Sequence, residues 1–337
     1  MKHTQYTIAT LGSHSALQIL KGAHDEGFST LIISTPDRLP FYKRFQFINE
    51  FVEVKAFSKF ASVEKKLLNR NIILIPHGSF VAYLGEKGNK NLHIPYFGNK
   101  KVLDWEGNRR MQLKWLEKAN LNVPRKFGRG DIIDRPVIVK SYGAAGGSGY
   151  FIAYNQKDFK KKVSSFLKKE FIVQEYVIGV PIYLHFFYSP LNHKIELMSI
   201  DRRYETNVDS LGRLPLVHQE NIPITPSFVV VGNSPLSLRE SLLPEAYAMA
   251  ERLVKTSQKI IDKRGLFGPF CLETIITPDQ KFYVIEISCR IVAGTNLFID
   301  GSPYSSLIYD EPMSSGRRIA REIKIAIEEK KLSLILN

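Results

Sequence analysis

The chain has 337 residues, 44% of them hydrophobic, and a formal net charge of +14, enough length for two or three subdomains sharing a large core. No apolar run approaches the ~20 residues of a membrane span and Met1 to Thr10 lacks a signal-peptide core, so a soluble, cytoplasmic protein without a membrane partner is expected. The basic groups, such as Lys160-Lys161-Lys162 and Arg317-Arg318, are dispersed among acids and match no nucleic-acid-binding pattern, which favours a site for anionic metabolites over a nucleic-acid partner.

Residues 7–11 read as a strand, Gly12-Ser13-His14-Ser15 as a tight connection, 16–26 as a helix and 30–34 as the next strand. This βαβ unit predicts a parallel sheet, with Ser13, His14 and Ser15 at a strand's carboxyl end and a helix N-terminus, where anions bind. Residues 71–75 are a buried strand leading into Pro76-His77-Gly78-Ser79-Phe80. Ligands of open α/β sheets bind beyond such strand ends, so the two Ser/His loops are expected to share one small molecule. His14 and Ser79 are the expected contacts, although either histidine alone reads as a structural hydrogen-bonder. Residues 109–119 form an amphipathic helix, and Asn122-Val123-Pro124 marks a domain boundary.

The stretch PVIVKSYGAAGGSGYFIAY at 136–154 reads as strand, flexible loop, strand. It opens no helix, so it is neither a P-loop nor a dinucleotide fingerprint. Its glycines at 143, 146, 147 and 149 let backbone N–H groups approach an anion, and Lys140 supplies a charge; a plain surface turn is the other reading. A basic helix with a core stripe over 157–169 and a strand over 171–177 follow.

Residues 182–188 and 194–200 read as a hairpin, and Asp201-Arg202-Arg203-Tyr204-Glu205 is too charged for a core strand. It is expected as an exposed ion-pair network, or as a source of Arg202 or Arg203 for phosphate and Glu205 for a ribose. A strand over 228–231 would leave Asn233 at a strand end, and helices are expected over 243–261 and 315–331.

The segment FCLETIITPDQKFYVIEISCR at 270–290 is a hairpin around Pro278-Asp279. A register symmetric about that turn sets Glu273 opposite Val284 and puts Glu273, Glu286, Ser288 and Arg290 on one face, with Leu272, Ile276, Ile285 and Ile287 on the other. The two carboxylates are then diagonal neighbours, about 7 Å apart or less, and repel unless a cation such as Mg²⁺ or an arginine or lysine intervenes. Cys271 and Cys289 fall on opposite faces, so no disulfide is expected. The Ala293-Gly294-Thr295-Asn296 turn is a candidate phosphate cradle.

Lys140, the Gly-rich flap, Gln174-Glu175-Tyr176-Val177, Glu273 and Glu-x-Ser-x-Arg at 286–290 together resemble the ATP-grasp superfamily, with Ser288 where that pattern has Asn. ATLGSHSALQILKGA at 9–23, PHGSF at 76–80, GGSGYF at 146–151, DRRYE at 201–205, GPFCLE at 268–273, AGTN at 293–296 and GRRIAREI at 316–323 closely resemble the archaeal PurP family of formate-dependent FAICAR synthetases. The resemblance implies an α/β ATP-grasp fold with an N-terminal parallel α/β domain over 1–122, a lid over 123–180 and a metal-bearing part over 181–337. It implies a C–N ligase using ATP, formate and AICAR (the ribonucleotide amine), with Mg²⁺ or Mn²⁺; a paralogous ligase with another acid or amine is the alternative. His14, Ser79, Asn233, Thr295 and Asn296 would contact AICAR. Lys140, Gly146, Gly147, Ser148, Gly149, Gln174, Glu175, Tyr176, Val177 and Glu205 would contact ATP, with Glu273 and Glu286 on the metal and Arg203 and Arg290 catalytic. Members form homo-oligomers, including hexamers.

Overall fold

The runs TIATL and STLIIS have almost no polar face, which suits strands covered on both sides. They form β1 (Thr7–Leu11) and β2 (Ser29–Ser34), paired in parallel from Thr7 opposite Ser29 to Leu11 opposite Ile33. With β3 (Glu50–Glu53) and β4 (Ile72–Leu74) they make a parallel sheet in the order β3-β2-β1-β4. The helix Ala16–Asp25 crosses from β1 to β2 and buries Ile19, Leu20 and Ala23. Since β1 and β4 are adjacent and parallel, their carboxyl-end loops, 12–15 and 76–79, emerge side by side. The computed structural model describes residues 5–128, 130–141, 150–164, 170–206, 208–219, 227 and 229–337.

The second sheet is antiparallel, with β5 (Lys126–Phe127), β6 (Val137–Ser141), β7 (Tyr150–Ala153) and β8 (Phe171–Glu175) in the order β5-β8-β6-β7. It has its own small core of Phe127, Ile133, Val137, Val139, Ala153 and Val173. The basic helix Gln156–Val163 lays Phe159 against this core, and the rest of the expected stripe, 165–169, lies outside the described residues.

The third sheet, also antiparallel, orders β9 (Val180–Tyr188), β10 (Ile195–Glu205), β11 (Val230–Pro235), β12 (Gly268–Ile276) and β13 (Phe282–Ser288) as β11-β10-β9-β12-β13. One continuous apolar core joins it to the parallel sheet. Trp115, on the helix Arg109–Lys118, is fully buried there and donates its indole N–H to the Leu253 carbonyl at 3.1 Å. The helix Ser315–Glu328 buries Ile319, Ile323 and Ile327 and packs on the helix Ala16–Asp25 at a glycine crossing. A Cβ at Gly22 would lie 2.2 Å from the Arg317 nitrogen, and one at Gly316 2.2 Å from the Gln18 carbonyl oxygen. Only hydrogen at both positions lets the backbones approach this closely.

Three expectations are corrected. The charged stretch 201–205 continues β10 as a strand with Arg202 and Tyr204 exposed, but Asp201 is fully buried because side chains of neighbouring strands satisfy it. Asn233 lies within β11, opposite Arg203, instead of at a strand end. In the β12–β13 hairpin, Thr277 N donates to the Lys281 carbonyl at 3.0 Å and Gln280 adopts a φ of 60°, which centres the turn on Asp279. A bulge at Ile285 then adds a second shift, so Glu273 stands directly opposite Glu286 and Thr274, not Glu273, opposite Val284. Ile285 consequently borders the cleft described below, where a core position was expected.

Candidate active site

Alternation along the third sheet gathers polar side chains on one face. Tyr183 opposes Glu273 and His185 opposes Cys271 across β9 and β12, while Asp201 opposes Tyr183 on β10 and Arg203 opposes Asn233. Arg203 packs over the Tyr183 ring, 3.6 Å from its centre, and pairs with Glu273 at 3.2 Å. Burial disfavours its charge, but Glu273 together with Cys271, Tyr183 and Asp201 outweighs this and the guanidinium stays protonated. An arginine therefore neutralises one of the two carboxylates, which was one of the readings open from sequence.

Glu286, across the ladder from Glu273, opens onto the cleft at its tip yet is enclosed on its other sides. Burial, and then the Glu273 charge, push its carboxyl up to about 7, with Arg109 and Lys140 opposing. Directly opposed positions bring Cβ atoms to roughly 5 Å, the spacing at which like charges destabilise a sheet and a shared cation relieves them. The pair, complemented by water and phosphate oxygens, suits a hard divalent ion. Among the described residues no cluster of three or more His, Cys, Asp or Glu groups competes for that role.

A cleft of about 520 Å³ opens over Glu286 and lies between the second sheet and the helices 100–118. Lys140, Ile172 and Gln174 form one wall, Ile285 and Glu286 another, and Glu106, Arg109 and Gln112 the third. The volume is that of a nucleotide-sized ligand site. Burial, then Arg109, lowers the Lys140 ammonium below its usual range while Glu286 and Glu273 hold it up. Glu205 is pushed up to about 7 by burial and by Asp209, and its charge is felt by Tyr150 and Tyr176. Glu175 pairs with Arg135 at 3.2 Å, and the backbone N–H groups of Glu175 and Tyr176 donate to the Arg125 and Pro136 carbonyls. Val177 follows, half-buried. Gly146, Gly147, Ser148 and Gly149 lie outside the described residues.

The second cluster stands at the carboxyl ends of β1 and β4. Ser79 Oγ lies 2.9 Å from His14 Nδ1, Ser13 Oγ lies 2.8 Å from the Tyr83 hydroxyl, and Arg38 donates to the Gly12 carbonyl at 3.2 Å. His14 adopts a φ of 44°, an uncommon backbone conformation for a non-glycine residue, and the Asn296 amide donates to its carbonyl at 3.2 Å. Partial burial and the charges of Arg290, Arg38 and Arg203 lower its imidazole below the usual range. His77 is different: it is buried, its Nε2 meets the Leu11 carbonyl at 3.0 Å, and Ser79 N donates to its Nδ1. Burial pushes it down to about 3, so it is a neutral strut that shapes the loop. Thr295 also faces inward, its hydroxyl donating to the Val292 carbonyl at 2.6 Å.

Arg203 and Arg290 stand between the two clusters: both act electrostatically on His14, and they pair with Glu273 and Glu106 on the cleft side. Glu106, Arg38, Tyr83 and the Asp201–His185 pair were missed from sequence. Tyr83 follows Ser79 by one helical turn, a spacing that places both on one face and was readable. Glu106 sits just before the break at Asn108, whose side chain caps the next helix, and a reading that begins the amphipathic helix at 109 leaves it in an unassigned segment.

Known proteins place this architecture. Family models described as "Domain of unknown function (DUF1297)" and "Protein of unknown function (DUF1246)" match residues 155–337 and 8–127. The N5-carboxyaminoimidazole ribonucleotide synthetase purK, solved as an ADP complex, shares the fold at a TM-score of 0.67 and 13% identity, over 95% of this chain and 76% of that one. The protein thus has the fold of the ATP-grasp ligases. A crystal structure of an IMP biosynthesis protein PurP from Thermococcus kodakaraensis matches more fully, with a TM-score of 0.80 and 33% identity over 98% of this chain and 100% of that one. The 5-formaminoimidazole-4-carboxamide-1-(beta)-D-ribofuranosyl 5'-monophosphate synthetase of Pyrococcus horikoshii is 54% identical over 98% of this chain and 99% of its own. That of Thermococcus kodakarensis is 49% identical with 98% and 99% coverage. The chain belongs to the PurP family of these synthetases.

Proposed function

We propose that the protein is the ATP-dependent ligase that formylates AICAR with formate, giving FAICAR, ADP and phosphate by way of formyl phosphate, in IMP biosynthesis. The observation that carries this reading is the placement of Arg203 and Arg290 between two clusters: a carboxylate-floored cleft of nucleotide size and a Ser/His pocket at the parallel strand ends. The family membership supports it.

Formate is a poor electrophile, so its oxygen must first take the γ-phosphoryl group of ATP, releasing ADP. The 5-amino group of AICAR then attacks the formyl carbon, phosphate leaves, and the amine loses its extra proton. No side-chain nucleophile is needed; the residues position and neutralise. Lys140 and Gln174 line the nucleotide cleft, and Glu205, Glu175, Tyr176 and Val177, with the 146–149 flap, would contact ATP in the same reading. Arg203, held flat on Tyr183, and Arg290, held by Glu106, offer fixed charges to phosphoryl oxygens. Glu273 and Glu286 would hold Mg²⁺ or Mn²⁺, which when bound draws charge from the transferring phosphate. His14, Ser79, Asn233 and Asn296 would face AICAR, while Thr295 would support it through the backbone. The proposed division is 1–122, 123–180 and 181–337, in a cytoplasmic homo-oligomer for which a hexamer is the assembly to test by light scattering.

The deciding experiment measures ADP and FAICAR formation by purified protein with ATP and Mg²⁺, omitting formate and AICAR in turn. Dependence on both substrates, with products in step, is expected. Nucleotide binding without formate-dependent turnover would point instead to a paralogous ligase with another acid or amine.

A further inference from the structure

Beneath the pocket lies a fully buried carboxylate with no role in the chemistry above. Asp201 is 0% exposed and His185 is 2% exposed; one carboxylate oxygen meets His185 Nε2 and the other accepts from Asn233 Nδ2 at 2.6 Å. A Cβ at Gly294 would lie 2.4 Å from the first oxygen, so the carboxylate also abuts the turn that carries Thr295 and Asn296. A buried charge this well surrounded has a strong geometric preference, because breaking either hydrogen bond leaves it without compensation.

The consequence falls on Asn233. Burial tends to protonate Asp201, but His185, followed by the Asn233 amide and Arg203, outweighs this and keeps it ionised. An ionised carboxylate only accepts, so the NH₂ end of the amide must point inward. Its Oδ1 has no partner among the described residues and is left as an acceptor on the face that carries Arg203.

We propose that Asp201, braced by His185, is a positioning residue that fixes the rotamer of the Asn233 amide, so that Asn233 selects a substrate N–H or O–H donor. The inference rests on the reading of Asn233 as an AICAR contact. AICAR offers such donors in its amine, carboxamide and ribose hydroxyls; its phosphate offers none at neutral pH and would be rejected at this point.

An exchange of the two side chains tests it. Asn233→Asp keeps an acceptor oxygen but cannot donate to Asp201, and Asp201→Asn removes the charge that orients the amide. Each is expected to raise the KM for AICAR about tenfold or more, with the KM for ATP unchanged. The double variant D201N/N233D restores the hydrogen bond with donor and acceptor reversed, and the introduced amide oxygen at position 201 still accepts from His185. It is expected to recover an AICAR KM within about threefold of the wild type. A double variant that does not fold, or that binds AICAR no better than N233D alone, overturns the inference. So does an N233D variant with a wild-type KM. Absence of formate-dependent AICAR turnover in the wild type would instead sink the functional reading, and the two failures are thereby told apart.

Discussion

Glu106 holds Arg290 at 2.6 Å, and the same carboxylate accepts the backbone N–H of Cys289 at 2.7 Å. The partner of the arginine thus comes from the end of a helix in another part of the chain, and it ties that helix to the last strand of the third sheet. Burial raises the Glu106 carboxyl, and Arg290 is the largest force holding it down.

Glu106→Gln should leave the fold intact while freeing Arg290 from its anchor. We expect kcat for ADP formation to fall by about 10- to 100-fold with little change in the KM for ATP. Glu106→Ala should in addition lower the unfolding free energy by about 3 kcal/mol in urea titrations, because the arginine is left enclosed without a counter-charge. A Glu106→Gln enzyme of wild-type kcat would show that Arg290 needs no anchor.

The carboxylate pair makes opposite predictions for stability and activity. Glu286→Gln removes a like charge directly across from Glu273. The ligand-free variant should be more stable than the wild type by roughly 0.5–1 kcal/mol at pH 8, above the raised Glu286 value. Its ligase activity should be at least ~100-fold lower. Millimolar Mg²⁺ with a non-hydrolysable ATP analogue should raise the melting temperature of the wild type and not that of the variant. Equal shifts for both proteins would place the cation elsewhere.

The βαβ unit and the two loops at its strand ends were legible because each signal is local: an apolar run, a Gly-Ser-His-Ser connection, an amphipathic helix. The carboxylates of the hairpin were legible as partners on one face, but their register was not. It depends on the left-handed conformation of Gln280 and the bulge at Ile285, two one-residue choices that composition does not announce. Asp201 was illegible for a different reason. A carboxylate in a buried strand is stable only with His185 from β9 and Asn233 from β11 beside it, and no reading of 201–205 alone contains them.

The glycine crossing between the first and last long helices should be as unforgiving as a core position. Gly316→Ala puts a methyl group about 2.2 Å from the Gln18 carbonyl oxygen, and relief requires the C-terminal helix to move away from the parallel sheet. A loss of about 3 kcal/mol or more in urea unfolding is expected. Gly107→Ala, where nothing lies within 4 Å of the added carbon, is the control and should be close to neutral.

Acid sensitivity should divide between two named groups. His77 is held neutral down to about 3 by burial, whereas in the unfolded chain it takes a proton near its ordinary 6.5. The folded state then binds fewer protons, so stability is complete above the unfolded value and declines as pH falls below it, by about 2 kcal/mol at pH 5. His14 lies in the same window, but its solvent exposure makes its share small. Glu26 acts lower. Burial raises its carboxyl, yet the hydrogen bonds from Arg321 and Arg317 outweigh this and depress it, so its contribution is present above 4.5 and is lost as pH falls further. His77→Gln, which can still donate to the Leu11 carbonyl, should flatten the melting temperature between pH 6.5 and 5 and remove one proton's share of the slope from there down to about 3. Glu26→Gln should reduce the loss only below 4.5 and leave the slope between pH 6.5 and 5 unchanged. If His77→Gln melted with the wild-type slope between pH 6.5 and 5, the proton taken up on unfolding in that range would belong to another group.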